Sequence, residues 1–147
     1  MLYLFIFYPA VLLEVYKRIP NTHLITHYYN RSTDNTLRRW NNSNGESQLI
    51  YSGHTNEKNF VGLSVSNDWI SCGSEDNTVY AYHKDCKTPI TKYRFPHAPV
   101  PFHDPQYTQE DDQLSSGFIS STCWKSNSNT LLAANNKGII KVLQMVP

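Results

Sequence analysis

The fold of this chain is decided by residues 52–84, SGHTNEKNFVGLSVSNDWISCGSEDNTVYAYHK. Three short runs rich in β-branched and aromatic residues, 60–65, 69–72 and 78–82, are separated by polar turn formers. Short runs of this kind, joined by turn chemistry, are typical of consecutive antiparallel strands. The stretch therefore predicts three neighbouring strands of one sheet.

The same unit recurs at a fixed spacing. The turn 74–79 (SEDNTV) matches the earlier stretch 32–37 (STDNTL), and by the same offset Trp40 falls at the position of Tyr82. This offset lies within the repeat of ~40–45 residues that is typical of WD-repeat β-propellers, with Gly-His at its head and an aromatic residue in its third strand. The sequence therefore predicts an all-β fold built from propeller blades.

A third copy is predicted near the C-terminus. Residues 134–139 (ANNKGI) follow the turn 74–79 at a longer spacing, and aligning the two places Val142 at the position of Tyr82. The longer spacing is explained by segment 96–117, which holds four prolines and an acidic run and is predicted to be a mobile loop. The predicted blades are residues 31–51, 53–95 and 117–147.

The length of the chain limits how much of a ring it can form. Seven blades of ~42 residues need roughly 290 residues, and the chain has 147. We therefore expect a partial propeller of about three blades over residues 31–147. An incomplete last blade would need its closing strand from residues 1–13 or from outside this chain.

Residues 1–30 do not match the repeat. The first thirteen, MLYLFIFYPAVLL, are apolar, but a membrane-spanning helix needs about 20 residues. They also lack the basic start and the small-residue cleavage site of a secretory signal. We expect residues 1–30 to be a β-rich segment or sequence foreign to the repeat.

Composition narrows the classes of function. A net charge of +1, with 17% charged residues, gives no reason to expect nucleic acid or a membrane surface as a direct partner. The cysteines are odd in number and lack CxxC spacing, which favours free thiols in a reducing compartment. They are Cys72, Cys86 and Cys123.

Enzyme chemistry has weak support. His54 with Cys72 or Cys123 would have the residue types of a thiol–imidazole pair, yet a cysteine inside an apolar strand is usually an inert core thiol. No nucleophile elbow or Gly-rich phosphate loop is present, and the six histidines are scattered. We predict no catalytic residue, metal ion or cofactor in this chain.

A structural relay is predicted inside the blades. Propeller blades often connect the head histidine, a second-strand hydroxyl, the turn aspartate and a third-strand tryptophan. These side chains satisfy buried polar groups that would otherwise cost ~1–3 kcal/mol each. The relay positions are His54, Cys72, Asp76 and Tyr82 in the central blade, with Asp34 and Trp40 in the preceding one.

Residues 55–60 (TNEKNF), here called the rim loop, carry more chemistry than a turn requires. The loop precedes the innermost strand of its blade, which places it on the face where propellers bind peptides. Phe60 suits contact with a proline or a small apolar side chain, and Lys58 suits an acidic partner. The alternative is that Phe60 is the first core residue of its strand.

Four stretches together resemble a known family. GHTNEKNFVGL (53–63), CGSEDNTVYAYHK (72–84), FISSTCWKS (118–126) and GIIKVLQMV (138–146) are similar to the C-terminal WD-repeat domain of the constitutive-photomorphogenesis ubiquitin-protein ligases and the related suppressor-of-phytochrome proteins. The resemblance implies a nuclear and cytoplasmic receptor for Val-Pro-containing peptides of transcription factors, photoreceptors and adaptors.

The resemblance also assigns roles. It implies that Phe60 belongs to the peptide pocket, with Lys58 and Asn59 as its neighbours. Full-length relatives are RING-type ligases, but this chain shows no RING spacing and no heptads, so we expect it to bind and not to transfer ubiquitin. The alternatives are a WD-repeat scaffold without substrate selection and a non-functional truncated fragment.

Overall fold

A computed structural model describes residues 13–15, 27–59, 61–66, 68–96 and 117–146, which form eleven β-strands and no helix. The first sheet contains β1 (Leu13–Val15), β2 (His27–Arg31), β3 (Leu37–Asn41) and β4 (Ser47–Tyr51). The second contains β5 (Leu63–Val65), β6 (Trp69–Gly73), β7 (Thr78–His83) and β8 (Thr91–Arg94). The third contains β9 (Ile119–Trp124), β10 (Thr130–Asn135) and β11 (Ile140–Gln144).

The strands of each sheet pair antiparallel in sequence order. This architecture confirms the all-β prediction and the three-stranded reading of residues 52–84. β1 lies beside β2, with Leu13 opposite Arg31, so the first sheet extends N-terminal to the predicted start of the first blade. Residues 1–12 and 97–116 lie outside the described residues, and the predicted mobile loop stays a prediction.

The repeated Asp-Asn-Thr turn has a physical basis. Asn35 and Asn77 adopt left-handed backbone conformations, with φ of 63° and 59°, which asparagine tolerates better than most residues. The preceding aspartate accepts the N–H of the threonine two residues on, at 3.0 Å for Asp34 and 3.2 Å for Asp76. The match between the two sequence stretches therefore reflects two hairpins of the same design.

The third repeat is displaced by one residue from its predicted alignment. Leu131 pairs with Leu143 as Ile70 pairs with Tyr82, so Leu143 is the structural equivalent of Tyr82. The prediction for Val142 was therefore wrong: its side chain is 71% exposed on the opposite face of the sheet. A shift of one residue in a strand exchanges its two faces.

The turn chemistry explains this error. In the third hairpin the left-handed position that Asn77 occupies in the second sheet is taken by Gly138, with φ of 78°. Glycine adopts this conformation without steric cost. Matching the Asn-rich letters of 134–139 to the earlier turns therefore aligned residues that are not equivalent in structure.

Two apolar clusters join the three sheets. Between the first and second sheets, Leu37 and Tyr51 pack against Ile70, Cys72 and Tyr82, all of them fully buried. Burying one such side chain contributes roughly 1.5–3 kcal/mol. The two sheets are therefore held together mainly by this apolar contact.

A second apolar cluster lies between the second and third sheets. Val79 and Ala81 of the second sheet face Ile119, Leu131 and Ala133 of the third. Strands β6 and β7 of the second sheet consequently bury side chains on both faces, one against each neighbouring sheet, whereas β8 is exposed. Its β7 strand is buried along its whole length except for its last residue.

Backbone contact seats the third sheet on the second. The Gly62 N–H donates to the Ile119 carbonyl at 3.2 Å, and the Ile119 N–H donates to the Ser74 carbonyl at 3.1 Å. A Cβ added at Gly73 would lie 2.3 Å from the Ile119 oxygen, and one at Gly62 would lie 2.4 Å from the Thr122 nitrogen. Both positions therefore require glycine.

We expect Gly73→Ala to destabilise the chain by about 1–3 kcal/mol, because β9 must move to make room for the added methyl group. Urea unfolding followed by tryptophan fluorescence measures the change. Gly45→Asn is the control, since Gly45 has φ of 70° and open space around its Cβ position. Equal stability of Gly73→Ala and the wild type would contradict the close contact.

Candidate functional site

Of the four residues predicted to form the relay of the central blade, His54 and Tyr82 contact each other. His54 Nδ1 lies 3.0 Å from the Tyr82 hydroxyl, and the two rings meet edge to face. The His54 side chain is 4% exposed. Burial, with the nearby Arg31 cation, lowers the pKa of His54 to about 4, so the imidazole is neutral at physiological pH.

The other two predicted relay residues lie apart from this pair. The Cys72 thiol donates to the Gly73 carbonyl at 3.1 Å. The Asp76 carboxylate accepts the Tyr80 hydroxyl at 2.9 Å in addition to the turn N–H. The structure therefore brings His54 and Tyr82 together, and it places Cys72 and Asp76 in separate local contacts.

In the first sheet, Trp40 uses a partner that the sequence reasoning missed. Its indole Nε1 donates to the Asn30 side-chain oxygen at 2.7 Å, and Asn30 precedes Cys72 by one repeat. The offset that relates Trp40 to Tyr82, applied to the second strand, would have found it. Cysteine is a weak acceptor, which accounts for Tyr82 bonding to His54 instead. Asp34 forms an ion pair with Arg38 at 2.7 Å.

A thiol nucleophile is not assembled around His54. Burial raises the pKa of Cys72 to about 12, so its thiol stays protonated, and the reactive form of cysteine is the thiolate. Cys123 is exposed on β9 and Cys86 is half-buried. Over the described ranges, no cluster of three or more His, Cys, Asp or Glu side chains could hold a metal ion. No helix in the same ranges is long and apolar enough to cross a membrane.

The rim loop connects β4 to β5 and rests against the hairpin turn of the second sheet. The backbone N–H groups of Lys58 and Asn59 donate to Glu75 Oε1 at 2.7 and 2.5 Å, and the Asn59 amide reaches the same oxygen at 3.2 Å. The Glu75 N–H in turn donates to the Thr55 carbonyl at 2.9 Å. One glutamate thus holds both ends of the described part of the loop.

The turn of the first sheet holds the loop from the other side. Asn35 Oδ1 accepts the Asn56 N–H at 2.6 Å, and its amide group lies 3.5 Å from a Glu57 carboxylate oxygen. The Asn56 side chain is 1% exposed and donates to the Ser32 carbonyl at 2.9 Å. The loop is therefore braced by the turns of two consecutive sheets.

The charges on the rim loop face solvent. Glu57, Lys58 and Asn59 are exposed, and within the described residues no carboxylate lies within ion-pair distance of the Lys58 ammonium group. Partial burial acts to raise the pKa of Glu75, but the N–H donors of Asn59, Lys58 and Glu57 outweigh it and lower the pKa. Glu75 is therefore ionised at neutral pH.

Phe60 lies outside the described residues, so its predicted role in a peptide pocket stays a prediction. Sequence reasoning also missed Asn35 and Glu75, which it treated only as turn formers. A signal was present at one of them. Glu75 stands where the preceding repeat has Thr33, and a carboxylate appearing at one copy of a repeated turn indicates a local partner.

The three sheets, the shared turns and the repeat spacing define a partial WD-repeat β-propeller. The chain is 46% identical over 112 residues to the E3 ubiquitin-protein ligase COP1 of Arabidopsis thaliana, a match covering 76% of this chain and 16% of that protein. It is 46% identical over 123 residues to Protein SUPPRESSOR OF PHYA-105 1 of the same plant, covering 78% and 12%. The chain belongs to the WD-repeat family of these two proteins, which confirms the predicted resemblance.

More distant comparisons agree on the fold. WD repeat-containing protein RUP2 of Arabidopsis thaliana is 32% identical over 119 residues, covering 75% of this chain and 28% of that protein. No family model matches the chain. The computationally designed Ika4 protein superposes with a TM-score of 0.58 at 14% identity, over 85% of this chain and 64% of that one, and supports the fold alone. The chain spans less than a third of the length of the curated relatives named here.

We expect acid to destabilise the chain through His54. The pKa of His54 is about 4 in the folded state and about 6.5 when unfolded, so the unfolded chain binds more protons between these values. The contribution of His54 is complete above pH 6.5 and falls as the pH drops toward 4, by at most about 1.4 kcal/mol per pH unit. Urea midpoints at pH 7, 6 and 5 measure this slope.

His54→Gln should flatten the slope. An unchanged slope in His54→Gln would show that another group titrates.

Proposed function

We propose that this chain is the substrate-recognition WD-repeat module of a RING-type ubiquitin-protein ligase complex. It binds Val-Pro-containing peptides of regulatory proteins, such as transcription factors and adaptors, in the control of photomorphogenesis. Its place of action is the nucleus and the cytoplasm. The observation that carries the proposal is the 46% identity to COP1 in a chain whose rim loop is braced and exposed.

The chemistry of the rim loop suits a short extended peptide. A Val-Pro segment favours the polyproline II conformation, so little order is lost when it binds an aromatic surface. Phe60 supplies the aromatic ring. The exposed Lys58 ammonium supplies a charge for acidic residues beside the Val-Pro pair.

The two groups contribute differently to binding. A single exposed charge pair at 4 Å is worth about 1 kcal/mol in water and is screened by salt. Lys58 therefore favours acidic peptides and speeds association, while apolar contact at Phe60 provides most of the affinity. The module contributes recognition, and ubiquitin transfer belongs to the rest of the complex.

A labelled peptide that carries Val-Pro beside acidic residues tests the proposal by fluorescence anisotropy. We expect saturable binding that Phe60→Ala weakens at least tenfold, through loss of an aromatic anchor. Lys58→Ala should weaken binding several-fold at low salt and reduce the dependence on salt. Lys125→Ala is the control, since this exposed lysine follows β9 at the opposite end of the sheets.

Three other outcomes would redirect the assignment. Absence of saturable binding to a folded chain would favour a WD-repeat scaffold without substrate selection. Binding that Phe60→Ala leaves intact would place the peptide elsewhere. A chain that gives no folded species would favour a non-functional fragment.

A further inference from the structure

We propose that Glu75 and Asn35 are positioning residues that fix the rim loop in its peptide-binding conformation, a role that rests on the proposed function for its effect on affinity. Each acts through the loop backbone and not by touching the peptide. Glu75 comes from the turn of the second sheet and Asn35 from the turn of the first. We call the pair the loop clamp.

Glu75 forms the stronger half of the clamp. A single oxygen, Oε1, accepts two backbone N–H groups and one side-chain amide from Lys58 and Asn59, all within 3.2 Å. Hydrogen bonds to an ionised carboxylate are roughly twice as strong as those between neutral groups. Glu75 therefore fixes the backbone immediately before Phe60.

Asn35 holds the beginning of the loop. Its left-handed backbone, with φ of 63°, belongs to the hairpin turn, while its side chain leaves the turn and accepts the Asn56 N–H at 2.6 Å. The residue thus has one role in its own sheet and a second in the loop that follows. The repeated turn alone explains only the first of these roles.

The positions of the two clamp residues are fixed relative to each other by sheet packing. The Tyr51 hydroxyl and the Arg39 guanidinium, both from the first sheet, donate to the Lys84 carbonyl of the second at 2.5 and 3.0 Å. Arg39 also pairs with Asp85 at 3.1 Å. The two turns that hold the rim loop therefore belong to sheets whose relative position is fixed by these contacts.

A loop ordered before binding loses less conformational freedom when a peptide arrives, and this raises affinity. Removing either clamp residue should therefore weaken peptide binding while leaving the sheets intact. The experiment compares Glu75→Ala, Glu75→Gln and Asn35→Gly in the full chain. Glycine is chosen at Asn35 because it keeps the left-handed conformation.

Matched controls share the residue type but lie away from the loop. Glu46→Ala removes an exposed glutamate of the β3–β4 turn. Asn127→Gly changes a second left-handed asparagine, with φ of 50°, in the β9–β10 turn. Three quantities are measured for every variant: amide hydrogen exchange at Asn56, Lys58 and Asn59, affinity for the Val-Pro peptide, and the urea midpoint.

We expect Glu75→Ala to speed exchange at Lys58 and Asn59 about tenfold and to weaken the peptide about tenfold. Glu75→Gln should recover part of both effects, because its amide oxygen still accepts. Asn35→Gly should speed exchange at Asn56 and weaken binding less. The urea midpoint of Glu75→Ala should fall below that of Glu46→Ala, because the lost hydrogen bonds stabilise the folded chain, but every variant should remain folded without urea.

Unchanged exchange at Lys58 and Asn59 in Glu75→Ala would overturn the clamp, whatever the peptide does. Faster exchange with wild-type affinity, in a chain that binds saturably, would overturn the positioning role. If the wild type shows no saturable binding, the proposed function fails, and the exchange rates alone then decide whether the clamp exists. The two ideas are thereby tested separately.

Discussion

Burial of strands β6 and β7 of the second sheet on both faces is the constraint on which the rest of this structure depends. Ile70, Cys72 and Tyr82 face the first sheet, and Val79 and Ala81 face the third. Because apolar packing occupies these faces, the polar contacts that support the rim loop are made by the turns of the first and second sheets. The rim loop and its two supporting turns are the consequence.

The same constraint explains the chemistry around His54. A neutral imidazole, a phenol and a thiol can be buried together because none carries a charge at neutral pH. Burial raises the pKa of Cys72 and lowers that of His54, so each shift favours the uncharged form. The Cys72 thiol is therefore held in its protonated form, which is not nucleophilic.

The sequence predicted the fold well because local turn chemistry and long-range packing point the same way. The two Asp-Asn-Thr turns repeat at the spacing of one blade, and the strands of their hairpins pair in the same register. The prediction was wrong by one residue in the third sheet. There Gly138 occupies the left-handed position that asparagine holds in the other two turns, so the sequence offers no matching asparagine from which to align the repeat. Strand faces are sensitive to such a shift, so Leu143 and not Val142 occupies the core position.

The site was predicted less completely than the fold. Lys58 was chosen for the charge that it gives the loop and for the family resemblance, and its role in peptide binding stays a prediction. Asn35 and Glu75 could not be chosen in this way, because their roles depend on contacts across 16 to 22 residues of sequence. Asn30 is different, since the offset that relates Trp40 to Tyr82 also relates Asn30 to Cys72 and could have found it from the sequence.

Together these features describe a module in which repeated turns both close hairpins and support the exposed rim loop. A crystal structure of the chain with a Val-Pro peptide flanked by acidic residues tests this account most directly. The account predicts the peptide against residues 57–60, with Glu75 still bonded to the N–H groups of Lys58 and Asn59. A peptide bound elsewhere, or a rim loop detached from Glu75 in the complex, would contradict it.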